Sequence, residues 1–214
     1  MVEKKGANKE DKSLMVIFVV LGLLLILVIG LLIVSVSNKS INYNGLEFKK
    51  TSYGQIILYS VKVPVLNSVG KVVSYFQADF RNNPKTLENV SVESKVELGY
   101  RDVYLSVAPI VESCEDSGLA VLNLAAVFLP SAGHKTKLGS LDKEHAIKEN
   151  VSYITCQDSD KYTALTLDKG NETKITKEGN SCYELTFADC ADVTRVTEKF
   201  QLSLLEEYNK RLNL

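Results

Sequence analysis

The chain is poor in the residues that carry most enzyme chemistry. It has two histidines, His134 and His145. No CxxC, HExxH, Walker loop or GxSxG occurs. Metal hydrolysis, nucleotide chemistry and an α/β-hydrolase triad therefore lack their parts. No metal and no cofactor is expected. Asp158 and Asp160 share one short stretch, but Lys161 stands where a calcium loop needs another oxygen. Glu206 and Glu207 are adjacent on a predicted helix and so do not face one site together. A basic excess is missing too: 25 Lys and Arg stand against 26 Asp and Glu. That excludes nucleic acid as a partner, because its recognition calls for a basic stripe. There is no internal repeat, low-complexity tract or long linker.

What the chain does have is one long apolar run. Leu14 to Val36 reads LMVIFVVLGLLLILVIGLLIVSV and contains no ionisable side chain. As a helix, 23 residues at about 1.5 Å each reach roughly 34 Å. A bilayer's hydrocarbon core is about 30 Å thick, so the run predicts a transmembrane helix with a little tilt. Its Leu, Ile, Val and Phe favour insertion by on the order of 6 to 11 kcal/mol in sum, an upper bound. A signal peptide's apolar core is shorter, roughly 7 to 15 residues, so the run reads as a retained signal anchor. Gly22 and Gly30 are eight apart, which leaves no GxxxG seam.

The expected organisation follows. Residues 1–13 form a cytoplasmic tail, 14–36 the anchor, 37–52 a juxtamembrane segment and 53–214 an extracytoplasmic domain. Lys4, Lys5, Lys9 and Lys12 precede the run and three lysines follow it closely, which favours a cytoplasmic N-terminus. All four cysteines (Cys114, Cys156, Cys182 and Cys190) follow the run, as an oxidising compartment predicts. Four glycosylation sequons, at Asn38, Asn89, Asn150 and Asn171, lie on the same side, though chance alone supplies about two. Lys4-Lys5-Gly6 resembles a pilin leader site, but a polar segment separates it from the apolar run.

The domain's periodicity predicts an α/β (α+β) fold: a mixed sheet, one crossover helix and a C-terminal docking helix. Strands are expected from Gly54, ended by Pro64, then over Lys71 to Phe80 and Val103 to Pro109. Ser117 to Leu129 reads as a buried helix capped by Asp116 or Ser117 and stopped by Pro130 and Gly133. Strands at Lys135 to Leu138 and Val151 to Cys156 would make parallel crossovers. A hairpin is expected at Asp168-Lys-Gly-Asn171, with a third strand over Cys182 to Phe187. In the last helix Val196, Phe200, Leu204 and Tyr208 recur every four residues, and Arg195, Lys199, Glu206 and Lys210 take the other face.

Four cysteines allow three pairings. If Cys182 to Phe187 is a strand, it carries the chain roughly 20 Å. A disulfide needs its Cα atoms about 4.4 to 6.8 Å apart, so Cys182 and Cys190 should not join. Cys182 then bonds to Cys114 or Cys156, and Cys190 bonds to the other or stays free. Cys114 and Cys156 each follow a predicted parallel strand, so both are expected at one edge of the sheet.

Phe80-Arg-Asn-Asn-Pro84, Cys182-Tyr183, Cys190 and Thr197-Glu-Lys-Phe200 resemble stretches of uncharacterised single-pass membrane-anchored proteins of small-genome archaea. That resemblance implies no activity. Ser152-Tyr-Ile-Thr-Cys156 is similar to the TLxTC strand of sortases, membrane-anchored cysteine transpeptidases. The resemblance implies Cys156 as nucleophile and His134 or His145 as its activator. The match departs at the arginine: the first one after Cys156 is Arg195, on a predicted helix. An even cysteine count points instead to Cys156 as half of a structural disulfide. With no converging acid, base and nucleophile in view, the expected function is a binding or scaffold module with an unknown protein or cell-surface partner. A sortase-like transpeptidase and a pilin-like subunit are the alternatives.

Overall fold

Asn44 and Gly45 both take positive φ, 49° and 79°. This is the two-residue turn whose twist matches a hairpin. It joins β1 (Ser40–Tyr43) to β2 (Leu46–Tyr53). β3 (Ile56–Leu66) and β4 (Val72–Phe80) complete a four-stranded sheet in the order β1-β2-β3-β4. The computed structural model describes residues 9–37, 40–67, 69 and 71–212. Lys4-Lys5-Gly6, the rest of the tail's first eight residues and the Asn38 sequon lie outside them.

The first correction concerns the expected juxtamembrane segment. Most of it is β1 and β2, and Tyr43, Leu46 and Phe48 enter the core. The chain divides into Met1–Ser40 and Ile41–Leu214, so these strands belong with the domain. Pro64 does not end its strand either, for it pairs with Tyr75 inside β3. Its carbonyl accepts the Tyr208 hydroxyl at 2.8 Å. A strand residue's nitrogen and carbonyl point to the same edge, so the missing N–H faces away from β4 and no ladder bond is lost.

The second sheet has seven strands. They are β5 (Ser91–Val92), β6 (Asp102–Val107), β7 (Lys135–Ser140), β8 (Ser152–Tyr153), β9 (Thr163–Lys169), β10 (Lys174–Glu178) and β11 (Cys182–Phe187). Their order is β5-β10-β11-β9-β6-β7-β8. β6 and β7 are parallel and joined by the expected crossover helix. That helix is α2 (Ser117–Leu122), a π-helical stretch (Asn123–Phe128) and α3 (Leu129–Ser131). Pro130 does not stop it. It sits in the first turn of α3, after the wide π turn, where a missing N–H costs least. The expected cap fails as well. Asp116 is left-handed and makes no cap bond, and the Ser117 hydroxyl donates to the Cys114 carbonyl at 2.8 Å.

The hairpin expected at Asp168-Lys-Gly-Asn171 is absent. β11 inserts between β9 and β10, parallel to β9 and antiparallel to β10. Burial explains this: Thr163 to Leu167 are buried at every residue, so β9 needs a neighbour on each side. The domain is therefore a mixed α+β fold with two sheets, not one. Val151 to Cys156 is not a buried strand; β8 is two exposed residues, and a short α4 (Lys143–Lys148) precedes it.

α5 (Asp192–Leu212) closes the chain, and one hydrophobic cluster joins it to both sheets. The predicted face is correct at Val193, Val196, Phe200 and Leu205. The predicted solvent face holds at Lys210, which is exposed, and fails at Lys199, which is buried beside Glu198. The stretch Val196 to Ser203 is buried at every residue, so the helix has no wet face there. Phe200 is fully buried and meets Tyr183 edge to face at 5.7 Å. Phe200→Ala is expected to cost roughly 3 to 5 kcal/mol. Urea unfolding measures it, and a loss below about 1 kcal/mol would place this helix off the core.

The other unit is α1, helical over Lys9–Ser37. Its side chains are described for residues 15–29, and every one of them is exposed. Among the described residues, no helix is long and apolar enough to cross a membrane.

Candidate functional site: an apolar groove with a charged rim

The sequence pointed to Cys156, His134 and His145, and the structure does not bring them together as a catalytic set. Cys156 is bonded to Cys182 and Cys114 to Cys190, with Cα separations of 5.3 and 5.0 Å. Among the described residues no cysteine is free. A disulfide sulfur is no nucleophile, because attack requires a thiolate. The two bonds also sit at opposite ends of β11, an interior strand of the seven-stranded sheet, and not together at one edge. Cys190 follows β11 and Cys114 follows β6. Cys156 instead lies on the return path to the start of β9, beside Cys182 at the start of β11.

His145 belongs to a second arrangement. Its Nδ1 lies 3.2 Å from Ser140 Oγ. Its Nε2 lies 3.0 Å from Glu112 Oε1, misaligned for a hydrogen bond. The order serine, histidine, glutamate is that of a hydrolase triad, but the burial is inverted. Ser140 is 1% exposed, whereas the Glu112 side chain is 64% exposed. A triad needs its hydroxyl open to substrate and its acid sheltered. Ser140 Oγ also accepts the Asp142 N–H at 3.1 Å, so it fixes the turn into α4.

Cys156, Glu178 and Glu184 converge within 4.8 Å. A disulfide sulfur offers a cation no thiolate, which leaves two carboxylates. Burial, and then Glu178 beside it, push the Glu184 carboxyl above its ordinary range. Both causes disfavour the ionised form of Glu184.

A groove of about 380 Å³ lies between β3, β4, the end of the crossover helix and the last turns of α5. Val63, Phe76, Leu98, Phe128 and Leu204 give it an apolar lining. Strand alternation turns Val63 and Phe76, a cross-strand pair, to the same face. The π turn brings Phe128 onto Phe76, edge to face at 6.1 Å. Such wide turns recur where helices serve a site.

The rim is charged. Lys95 reaches Glu97 at 2.5 Å and Glu207 at 2.9 Å. Arg211 meets Glu97 at 2.9 Å, and Lys210 meets Glu207 at 2.7 Å. Lys95 and Arg211 hold the Glu97 carboxyl below its usual range, and Lys210 and Lys95 do the same for Glu207. Tyr183 fixes this rim from below. Its buried hydroxyl donates to the Glu97 carbonyl at 2.7 Å and accepts the Glu97 N–H at 2.8 Å. His134 lines the groove too, with Nδ1 3.2 Å from the Tyr100 carbonyl. Burial pulls its pKa below the ordinary histidine value, so at neutral pH it presents an uncharged ring.

Sequence reasoning missed this groove. The signals were present separately, in the helix repeat through Leu204 and Tyr208 and in the alternation around Phe76. Nothing local says that these faces leave a gap between them. No protein-family model, curated protein or solved structure matches the chain.

Proposed function

We propose that this is a single-pass membrane-anchored protein whose extracytoplasmic domain is a binding or scaffold module, with the groove as its contact site. The observation that carries the reading is the groove: an apolar floor and a rim of ion pairs. Such a concavity suits an apolar side chain of a protein or cell-surface partner, oriented by charge at its edge.

Two features support the anchor. The uncharged run Leu14 to Val36 falls within a continuous helix, and its described side chains are apolar on all sides. Such a helix is stable in lipid and not in water. Two disulfides support an oxidising outer compartment. Protease added to sealed, natively oriented vesicles should remove the Asn38 to Leu214 portion. Its survival until permeabilisation would reverse the topology.

The groove has its own test in the native membrane. A photo-crosslinking residue at Leu98, in the groove, should give one discrete adduct. The same residue at Ile147, 82% exposed on α4, should give none. Equal labelling from both positions would remove the groove from the reading.

A further inference from the structure

The two sheets have four edge strands between them, and three of these are short. β1 has four residues, and β5 and β8 have two each. A short edge strand is one way a sheet is kept from pairing with another chain. β4 is the fourth edge strand and runs for nine residues, Val72–Phe80. It lacks the other safeguards as well. It contains no lysine and no proline, and its one irregularity, opposite Val65 and Leu66, falls at its start.

Pro64 fixes the direction of the backbone groups along this edge. Its carbonyl points away from β4, and it pairs with Tyr75. Directly opposed residues of an antiparallel pair exchange both hydrogen bonds or neither, so Tyr75 turns its N–H and C=O to the open side. Gln77 and Asp79 do the same, at steps of two. Asn123 of the crossover helix already donates to the Asp79 carbonyl, at 3.4 Å. Among the described residues, no such partner outside the sheet reaches the main chain of Tyr75 or Gln77.

The surface around this edge is uncharged and apolar. Asp, Glu, Lys and Arg are absent from Val72 to Ala78 and from Ser117 to Gly133, in a chain that is 24% charged. Leu119, Leu122, Asn123 and Val127 of the crossover helix share one hollow with Asp79. Tyr75 is 65% exposed, Leu119 58% and Leu122 56%. A two-fold interface sets a patch against itself, which an uncharged patch permits and a patch of one sign resists.

We propose that β4 pairs antiparallel with β4 of a second copy of this chain, joining the two four-stranded sheets into one. The two-fold axis stands perpendicular to the sheet at Phe76. Tyr75 then faces Gln77 of the partner subunit, and Gln77 faces the partner's Tyr75. Each of these pairs exchanges both of its main-chain hydrogen bonds. The bonded pairs in this register use neither the Asp79 carbonyl, which is taken, nor Val73, which lies at the irregularity. The same axis keeps both crossover helices on one side of the joined sheet and turns their Leu119 and Leu122 flanks toward each other. Neither the groove nor the anchor is needed for this contact.

Light scattering on the full-length protein in a nonionic detergent, with the detergent's share of the mass subtracted, should give a dimer. Gln77→Pro removes an outward N–H that the β3–β4 ladder does not use. It should be a monomer whose disulfides and circular dichroism match those of the native chain. All four native cysteines are in disulfides, so an introduced cysteine is the sole free thiol. Tyr75→Cys and Gln77→Cys, co-expressed and then oxidised, should form a disulfide between positions 75 and 77, because opposed residues lie about 5.5 Å apart, within disulfide reach. Ile147→Cys, 82% exposed, should form none between copies. A native chain that is monomeric overturns the proposal and leaves the edge to a strand from another protein. A dimer that survives Gln77→Pro and gives no 75–77 crosslink is held elsewhere, and overturns it too. If Gln77→Pro does not fold, the crosslink alone decides.

Discussion

Reducing both disulfides should unfold the domain of Ile41–Leu214. Cys114–Cys190 closes a span of 76 residues and Cys156–Cys182 one of 26. The chain-entropy relation assigns roughly 4.5 kcal/mol to the first loop and roughly 3.5 kcal/mol to the second. The second loop is nested in the first, so their effects do not add fully, and about 8 kcal/mol is an upper figure. A domain of this size has about 5 to 15 kcal/mol in total. The bonds also hold the two ends of β11, an interior strand, so losing both frees it at each end. Paired Cys→Ser variants separate the two contributions. Removing Cys114 and Cys190 should lower the urea midpoint more than removing Cys156 and Cys182. Peptide mapping without reductant should return these two crosslinks and no other. An unchanged midpoint in a sample titrating four free thiols would show that packing alone holds the sheet.

The parts of the fold legible in the sequence were those set by short-range periodicity. The α5 repeat, the crossover helix and the strands at Val72–Phe80, Asp102–Val107 and Cys182–Phe187 are all of this kind. The exclusion of a Cys182–Cys190 bond followed from strand length alone. What was not legible depends on neighbours far along the chain. Asp168-Lys-Gly-Asn171 has the composition of a hairpin turn, yet β9 is buried on both sides and takes β11 as its partner. Asn38 to Ser52 looks polar in sequence, but Tyr43, Leu46 and Phe48 make one apolar stripe once the Asn44-Gly45 turn folds them back. Ser152 to Cys156 matched a catalytic strand by letters, while its backbone makes two strand residues and then a 3₁₀ turn. The groove was hidden for a similar reason. A cavity arises where three separately readable faces fail to meet, and no single stretch of sequence records that.

Glu198 shows the same limit most sharply, because helix periodicity alone places a glutamate here on a wet face. It is 2% exposed. Its carboxylate accepts the Arg81 N–H at 2.5 Å, the Asn82 N–H at 2.9 Å and the Asn82 side-chain amide at 2.8 Å. The segments Phe80 to Pro84 and Thr197 to Phe200 meet at this one side chain, which ties the end of β4 to α5. Glu198→Ala leaves three donors facing an apolar gap. At about 1 to 3 kcal/mol for each unsatisfied group, the loss is roughly 3 to 9 kcal/mol, enough to threaten folding. Glu198→Gln keeps the shape but turns one acceptor oxygen into a donor aimed at other donors. It should cost less than the alanine and still fold. The glutamine also removes the titration. Burial raises the Glu198 pKa, against the weaker opposing pull of the Arg81 and Asn82 donors. A raised carboxyl pKa penalises the ionised form in the folded state, so its contribution is most favourable below the ordinary glutamate value. That contribution is lost as pH climbs through the folded pKa. The native chain's advantage over Glu198→Gln should therefore widen as pH falls from neutral through the folded pKa, and level off below the ordinary value. Urea midpoints of both proteins across that range measure it. A gap that narrows on acidification would mean that the three donors outweigh burial, and that Glu198 is held as a stabilised carboxylate.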